Sequence, residues 1–185
     1  GQGVSNAVGF AISEEILKKQ IGKKIFDHKT YVIAGDGCLM EGISHEALSL
    51  AGQLKLKKLI VIWDDNGITI DGPLDLSCNT DQISRFQSSG WSTFSCDAHN
   101  PIEIDQAISN AKKDPRPSLI AAKSIIGYGS KGKQGTSGVH GAALGKSEIN
   151  QLRNNFNWNY NEFVIPSNIK SAWGKIGQKN YQLFK

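Results

Sequence analysis

Several features that would indicate a membrane, secreted or disulfide-stabilised protein are missing from this sequence. No apolar run approaches the ~18 to 20 residues of a membrane span, and no signal-peptide pattern stands at its start. The three cysteines, Cys38, Cys78 and Cys96, are an odd number without metal-ligand spacing, which indicates a reducing compartment. We therefore expect a cytoplasmic protein with no membrane partner.

An excess of one charge is also missing. The sequence has 21 Lys+Arg against 17 Asp+Glu, a formal net charge of +4, and its basic residues are dispersed along the chain. A nucleic-acid surface usually needs a dense basic patch, so we expect no nucleic-acid partner.

The chain contains one methionine, Met40, and opens on Gly1 directly before a helical pattern. It therefore lacks an initiator, and we expect either a processed product or a fragment of a longer chain. Its 185 residues, 39% of them hydrophobic, suffice for one α/β domain.

Apolar periodicity predicts helices and strands in alternation. Spacings of three and four residues indicate helices, and continuous apolar runs such as 59–63 indicate strands covered on both faces. The predicted helices are 4–19, 43–54, 81–87, 101–112 and 147–155, the predicted strands are 30–34, 59–63, 91–95 and 118–126, and an irregular glycine-rich loop covers 127–145. This order predicts an α/β fold with a mainly parallel sheet and helices on both faces.

Polar side chains follow the first two predicted strands. Gly-Asp-Gly at 35–37 comes after one strand and Asp-Asp-Asn at 64–66 after the next. Each motif alone is more often an ordinary turn. Their spacing, with a strand before each and a helix between, is what one βαβ unit needs to bring both to the same sheet edge. Asp36, Asn66 and one backbone carbonyl would then supply oxygen ligands for Mg²⁺ beside a diphosphate.

The residues around these motifs resemble transketolases. Residues 35–47, Gly-Asp-Gly-Cys-Leu-Met-Glu-Gly-Ile-Ser-His-Glu-Ala, followed by Asp-Asn at 65–66, are similar to the thiamin diphosphate fingerprint of that family. Further matches, in the family's order, lie at 1–9, 49–56, 64–72, 125–130 and 139–142. The resemblance implies the thiamin diphosphate-binding fold, with an N-terminally truncated diphosphate-binding domain over 1–166 and a Lys-rich helix or tail over 167–185.

The resemblance also implies a cofactor site. Asp36, the Asn66 side chain and the Ile68 carbonyl would hold Mg²⁺, for which Ca²⁺ or another divalent ion can substitute. The Gly37 amide would contact the diphosphate, and Ile70 would lie near the cofactor ring.

Three further side chains take roles from the family. His140 matches the histidine that contacts the diphosphate and assists proton transfer on the substrate, although Ala143 stands where family members usually have proline. Glu41 and Glu46 match carboxylates at the dimer interface that link the two cofactor sites. A solvated helix face remains the alternative for both glutamates.

The implied reaction is transfer of a two-carbon ketol unit from a ketose phosphate to an aldose phosphate, in the pentose phosphate pathway. A complete enzyme of this family is a homodimer in which the pyrimidine-binding domain comes from the partner subunit. That domain is not recognisable in this sequence, so we expect this chain alone to be inactive.

Other functions stay open at this point. They are another thiamin diphosphate enzyme, such as dihydroxyacetone synthase or a split-subunit transketolase, a non-catalytic cofactor-binding module, and an ordinary nucleotide-binding α/β domain. The last is disfavoured because the G-x-G-x-x-G match at 127–132 is followed by residues that cannot open a helix.

Overall fold

The computed structural model describes residues 1–181, which divide into two units. The first consists of Gly1–Tyr128 and Lys133–Ala143. The second consists of Gly129–Gly132 and the described residues from Leu144 onward.

The first unit alternates helices and strands as the periodicity predicts. Its elements in chain order are α1 (Gln2–Gln20), β1 (Thr30–Gly35), α2 (Asp36–Met40), α3 (Gly42–Gln53), β2 (Leu59–Asp65), β3 (Ile68–Thr69), β4 (Gly72–Pro73), α4 (Gln82–Ser88), β5 (Ser92–Asp97), α5 (Pro101–Ala111) and β6 (Ser118–Lys123). Single 3-10 turns lie at Leu74–Leu76 and Ser137–Val139.

Four of these strands form one parallel sheet in the order β1-β2-β6-β5. Because all four run in the same direction, their carboxyl ends meet at one edge and their amino ends at the other. Strands β3 and β4 form a separate antiparallel pair just after β2. The predicted parallel α/β architecture is therefore confirmed.

Helices cover both faces of the sheet. Alternate residues of the central strand β2 point to opposite faces. Leu59, Val61 and Trp63 lie in a core with α1, α2, α3 and α4, whereas Ile60 and Ile62 lie in a second core with α5. Burial on both sides explains why β2 is apolar at successive positions.

Element ends differ from the prediction where neighbouring strands decide them. Strand β6 ends at Lys123 rather than at 126, because Lys123 pairs with Asp65 and Asp97, the last residues of both neighbouring strands. The Ser124 N–H still donates to the Asp65 carbonyl at 3.1 Å, but neither neighbouring strand extends past this point. Strand β1 extends to Gly35, and Asp36 opens the one-turn helix α2 where the sequence predicts only a turn.

The second unit contains α6 (Lys146–Asn155) and α7 (Ser167–Tyr181). The Ser130 hydroxyl donates a hydrogen bond to Glu148 Oε2 at 2.6 Å, and the Asn155 amide donates to the Gly129 carbonyl at 2.8 Å. These bonds join residues 129–132 to α6. The last four residues of the predicted Lys-rich segment lie outside the described part of the chain. No helix within residues 1–181 is long and apolar enough to cross a membrane.

Candidate functional site

Asp36 is the most constrained polar residue at the carboxyl edge of the sheet. It opens α2 directly after β1, and only 5% of it is exposed. The Trp63 indole donates a hydrogen bond to its Oδ1 at 2.9 Å, and the Gly67 backbone N–H donates to its Oδ2 at 3.1 Å. The carboxylate is therefore fixed in orientation and lies against the turn that follows β2.

The electrostatic surroundings of Asp36 favour a cation. Burial raises the pKa of Asp36 above its ordinary value, and the negative charges of Asp65 and Asp64 act in the same direction, whereas the hydrogen bonds from Trp63 and Gly67 oppose the shift. A bound cation would offset the cost of keeping this carboxylate ionised inside the protein.

The turn after β2 is organised by side-chain hydrogen bonds. The Ile68 N–H donates to Asn66 Oδ1 at 2.9 Å, the Asn66 amide donates to Asp64 Oδ2 at 3.2 Å, and Asp64 Oδ1 accepts a bond from the Ser124 hydroxyl. Gly67 has a φ of 69°, a left-handed conformation that suits glycine at this position.

The Ile68 carbonyl has an unusual position in the short hairpin. Ile68 lies opposite Pro73 in the pairing of β3 with β4. The Leu74 N–H donates to the Gly67 carbonyl at 2.8 Å, so residues 67 and 74 form a hydrogen-bonded pair. Pairs of the two kinds alternate in an antiparallel ladder, so Ile68 and Pro73 form a non-hydrogen-bonded pair, and the Ile68 carbonyl receives no bond from its partner. A lone pair on it remains available to another ligand.

One cavity of about 740 Å³ brings most of the predicted site together. Seven of the eight predicted positions line it: Asp36, Gly37, Glu41, Asn66, Ile68, Ile70 and His140. Glu46 does not line it and is exposed on α3. The roles assigned to these residues remain predictions.

His140 reaches the cavity from the loop after β6. Its backbone N–H closes the 3-10 turn by donating to the Ser137 carbonyl at 2.9 Å, and its side chain is exposed. Glycine at position 127 lets this turn pack closely against the chain after β6. A Cβ there would come within 2.9 Å of the Val139 side chain, and the residue has a φ of +65°. The Gly135 N–H donates to the Ile126 carbonyl at 2.8 Å and closes the loop.

Glu41 lies at the start of α3 on the wall of the same cavity. It is exposed, and its Oε1 accepts a hydrogen bond from the Gly1 nitrogen at 2.7 Å. Within residues 1–181, no group of three or more His, Cys, Asp or Glu side chains is placed to hold a metal ion. The predicted cation ligands are not such a group, since they combine one carboxylate with a side-chain amide and a backbone carbonyl.

Three residues that support the site, Trp63, Arg85 and Ser44, are not predicted from the sequence. Trp63 packs in the core, and its indole also orients Asp36. Arg85 donates to the Leu39 carbonyl at 2.7 Å, and the Ser44 hydroxyl donates to the Cys38 carbonyl at 2.6 Å, so both satisfy carbonyls of the short helix α2. For Trp63 a signal exists, because an indole at a strand end beside buried polar groups needs an acceptor. Arg85 lies 46 residues from Leu39 and has no such local signal.

Comparison with known proteins gives a consistent result. A family model described as "Transketolase, thiamine diphosphate binding domain" matches residues 1–184. The chain is 51% identical over 179 residues to a transketolase of Cereibacter sphaeroides and 52% identical over 179 residues to one of Rhodobacter capsulatus. These matches cover 97% of this chain but 27% of each relative.

Solved structures agree. The transketolase of Campylobacter jejuni aligns with a TM-score of 0.91 and 37% identity, covering 98% of this chain and 30% of that one. The transketolase of Pichia stipitis in complex with sedoheptulose 7-phosphate aligns with a TM-score of 0.89 and 41% identity, covering 100% of this chain and 29% of that one. The chain thus spans less than a third of the proteins it is similar to.

Proposed function

The chain belongs to the transketolase family, and on that premise we propose that it is the part of a transketolase that holds the diphosphate of thiamin diphosphate through a divalent cation. The observation that carries this proposal is the position of Asp36. Its buried carboxylate, with both oxygens hydrogen-bonded, lies on the wall of the cavity that also contains Asn66 and Ile68.

The cation would be held by Asp36, the Asn66 side chain and the Ile68 carbonyl. Each donor has capacity for it: Asp36 is buried beside two other carboxylates, Asn66 Oδ1 has a second lone pair, and the Ile68 carbonyl receives no bond from Pro73. Three oxygen ligands leave positions in the Mg²⁺ octahedron for phosphate oxygens and water. Ca²⁺ or another divalent ion with oxygen preference can substitute.

Gly37 and Ile70 would contact the cofactor itself. Gly37 lines the cavity, where its amide would contact the diphosphate, and a Cβ there would meet no atom within 4 Å. Ile70 exposes an apolar side chain on the same cavity wall, where it would lie against the cofactor ring.

When bound, thiamin diphosphate supplies the carbon nucleophile and the electron sink for cleaving a carbon–carbon bond. The contribution of this chain would be to anchor the cofactor and to move protons on the substrate. His140 would accept and donate the proton of a sugar hydroxyl, since imidazole can do both near neutral pH. The turn at Ser137–Val139 and the close approach of Gly127 would hold it at the cavity.

The complete enzyme would transfer a two-carbon ketol unit from a ketose phosphate to an aldose phosphate, as in the pentose phosphate pathway of the cytoplasm. Structures of the Pichia stipitis transketolase support this substrate class, because they include complexes with fructose 6-phosphate and sedoheptulose 7-phosphate. The full-length protein would be a homodimer in which the partner subunit brings the pyrimidine-binding domain. Glu41 and Glu46 would lie at that interface, and this chain by itself would be inactive.

The proposal is tested by titration calorimetry of thiamin diphosphate into the 185-residue chain in the presence of Mg²⁺. We expect binding that EDTA abolishes. Asp36→Asn keeps the side-chain volume but removes the charge, and should weaken binding about 100-fold. Asp105→Asn, which neutralises an exposed aspartate on α5, should leave the affinity unchanged. Wild-type affinity in a folded Asp36→Asn variant would contradict the assignment of the cation site.

A further inference from the structure

A second cavity, of about 320 Å³, lies at the amino edge of the sheet and has a strongly basic lining, and we call it the basic cavity. Lys29 precedes β1, Lys57 and Lys58 precede β2, and Lys112 and Lys113 follow α5. Strands of six or seven residues separate this edge from the Asp36 cavity by about 20 Å. The two cavities therefore share no lining residue.

The connections of the fold concentrate positive charge at this edge. The helix dipole favours Lys18 in the last turn of α1 and Lys112 at the C-cap of α5, and the other lysines lie in the connections that follow α1, α3 and α5. Because every helix–strand connection of the parallel sheet returns to the amino edge, these lysines collect in one place. The lining combines seven lysines with two aspartates, five net positive charges against +4 for the whole chain. The other residues of the protein together carry a slight negative charge.

Part of this charge is already balanced inside the protein. The carboxylate of Asp27 lies 2.5 Å from Lys58 Nζ, 3.0 Å from Lys18 Nζ and 4.0 Å from Lys23 Nζ. Hydrogen bonds from Lys58 and Lys18 hold the pKa of the Asp27 carboxyl well below its usual range. The cavity thus already stabilises one oxyanion of the protein itself.

The other lysines are unbalanced. Among the salt bridges that the described residues form, none involves Lys29, Lys57, Lys112 or Lys113. The second acidic residue of the lining, Asp114, lies 3.3 Å from the guanidinium of Arg116, which partly neutralises it. Four ammonium groups around one concave surface repel each other, and a multivalent anion would relieve that repulsion.

We propose that the basic cavity binds a small anion that carries two or more linked phosphates. Its volume lies at the lower end of the roughly 300–1,000 Å³ of small-molecule sites, which fits a compact polyphosphate. Lysine ammonium groups bind phosphate oxygens as point charges and need no fixed geometry from the ligand. Binding here would need no divalent cation, in contrast to binding at the Asp36 cavity.

The test uses inorganic tripolyphosphate, titrated into the 185-residue chain in a calorimeter with EDTA present. We expect binding that weakens with added salt, because screening shortens the range of the lysine charges. The double variant Lys112→Gln/Lys113→Gln should lose affinity by at least about fivefold. The matched control Lys170→Gln/Lys175→Gln removes the same charge from exposed positions of α7 and should change affinity less than about twofold.

The proposal would be overturned by no binding to the unmodified chain, by equal losses of affinity in the two double variants, or by binding of orthophosphate as tight as that of tripolyphosphate. Circular dichroism of each variant verifies that it is folded. Asp36→Asn should bind tripolyphosphate as tightly as the unmodified chain does. The anion-site proposal can therefore be tested even if the proposed cofactor site proves wrong. Loss of binding in Asp36→Asn would assign the anion to the other cavity and contradict the proposal.

Discussion

The two edges of the parallel sheet carry opposite charges. At the carboxyl edge, Asp36, Asp64 and Asp65 lie within electrostatic reach of one another. The Asp65 carboxylate there pairs with Lys123, whose side chain is 70% exposed. At the amino edge the basic cavity carries seven lysines.

This difference follows from the topology of the chain. Each strand runs into a turn at the carboxyl edge, where short polar residues and glycine are favoured, and each helix ends at the amino edge, where lysine is favoured. A parallel sheet keeps these two kinds of chain end apart. The cation site and the anion site that we propose therefore lie at opposite edges of the sheet.

The largest expected effect separates the lysine that supports the fold from those that only line the basic cavity. Lys58 is 8% exposed and lies 2.5 Å from Glu14, which is 1% exposed and whose second oxygen has no partner among the described residues. Lys58→Met should leave that carboxylate buried without a counter-charge and lower the free energy of unfolding by about 3 kcal/mol. Urea denaturation measures this.

The exposed neighbour Lys57 provides the control. Lys57→Met should change the free energy of unfolding by less than about 0.5 kcal/mol. If Lys57→Met and Lys58→Met lowered the free energy of unfolding equally, the ion pair of Lys58 with Glu14 would not be what stabilises this edge.

The next effect concerns the support of the carboxyl edge. Arg85→Met removes the donor to the buried Leu39 carbonyl in α2 and should lower the free energy of unfolding by about 1–3 kcal/mol. Because α2 carries Asp36 and Gly37, Mg²⁺-dependent affinity for thiamin diphosphate should fall about tenfold. Arg85→Lys keeps a donor and should recover part of both losses.

Arg116→Met is the matched control for Arg85, since Arg116 is exposed and its guanidinium bonds only Asp114 in the part of the chain that the structure describes. It should leave cofactor affinity unchanged. If it weakened cofactor binding as strongly as Arg85→Met, the support of α2 by Arg85 would not be the cause.

A smaller effect is expected in the pH dependence of the amino edge. The lowered pKa of Asp27 means that its ion pairs stabilise the protein fully above the ordinary carboxyl pKa near ~4, and that this contribution declines as the pH falls from there. The free energy of unfolding should therefore differ between the unmodified chain and Asp27→Asn at pH 6, and the difference should shrink towards pH 2.5. A difference that grew on acidification would contradict this sign.

The smallest effect is expected from the exposed pair at the carboxyl edge. Lys123→Gln should alter the free energy of unfolding by less than about 0.5 kcal/mol, because exposed ion pairs are screened by water. It removes a cation near Asp65, so Mg²⁺ affinity should rise, by about twofold or less. A loss of Mg²⁺ affinity in this variant would mean that Lys123 helps to organise the site.

Local pattern was sufficient for most of the fold and for the motif residues of the candidate site. The alternation of periodicities located every strand of the main sheet, and the motifs at 35–37 and 64–66 marked two of the places where strands end. Strand ends were less accurate, because the end of β6 depends on where β2 and β5 end. The hairpin of β3 and β4 has two residues in each strand, too few for a periodic signal.

The supporting contacts could not be predicted, because they join distant parts of the chain. Arg85 and Leu39 are 46 residues apart, and Trp63 and Asp36 are 27 apart, without a motif that links them. Such contacts depend on which helix lies over which strand.

The sequence alone determined the family and the order of helices and strands, and it predicted the residues that we propose for the cation and the diphosphate, since all of these follow from short patterns of neighbouring residues. The tertiary structure decided how charge is distributed. The basic residues are dispersed along the chain, but lysines from three connections meet at the amino edge. The physical reason is that a parallel sheet places every connection from a helix to the next strand at the same edge, and so gathers residues that are far apart in the sequence.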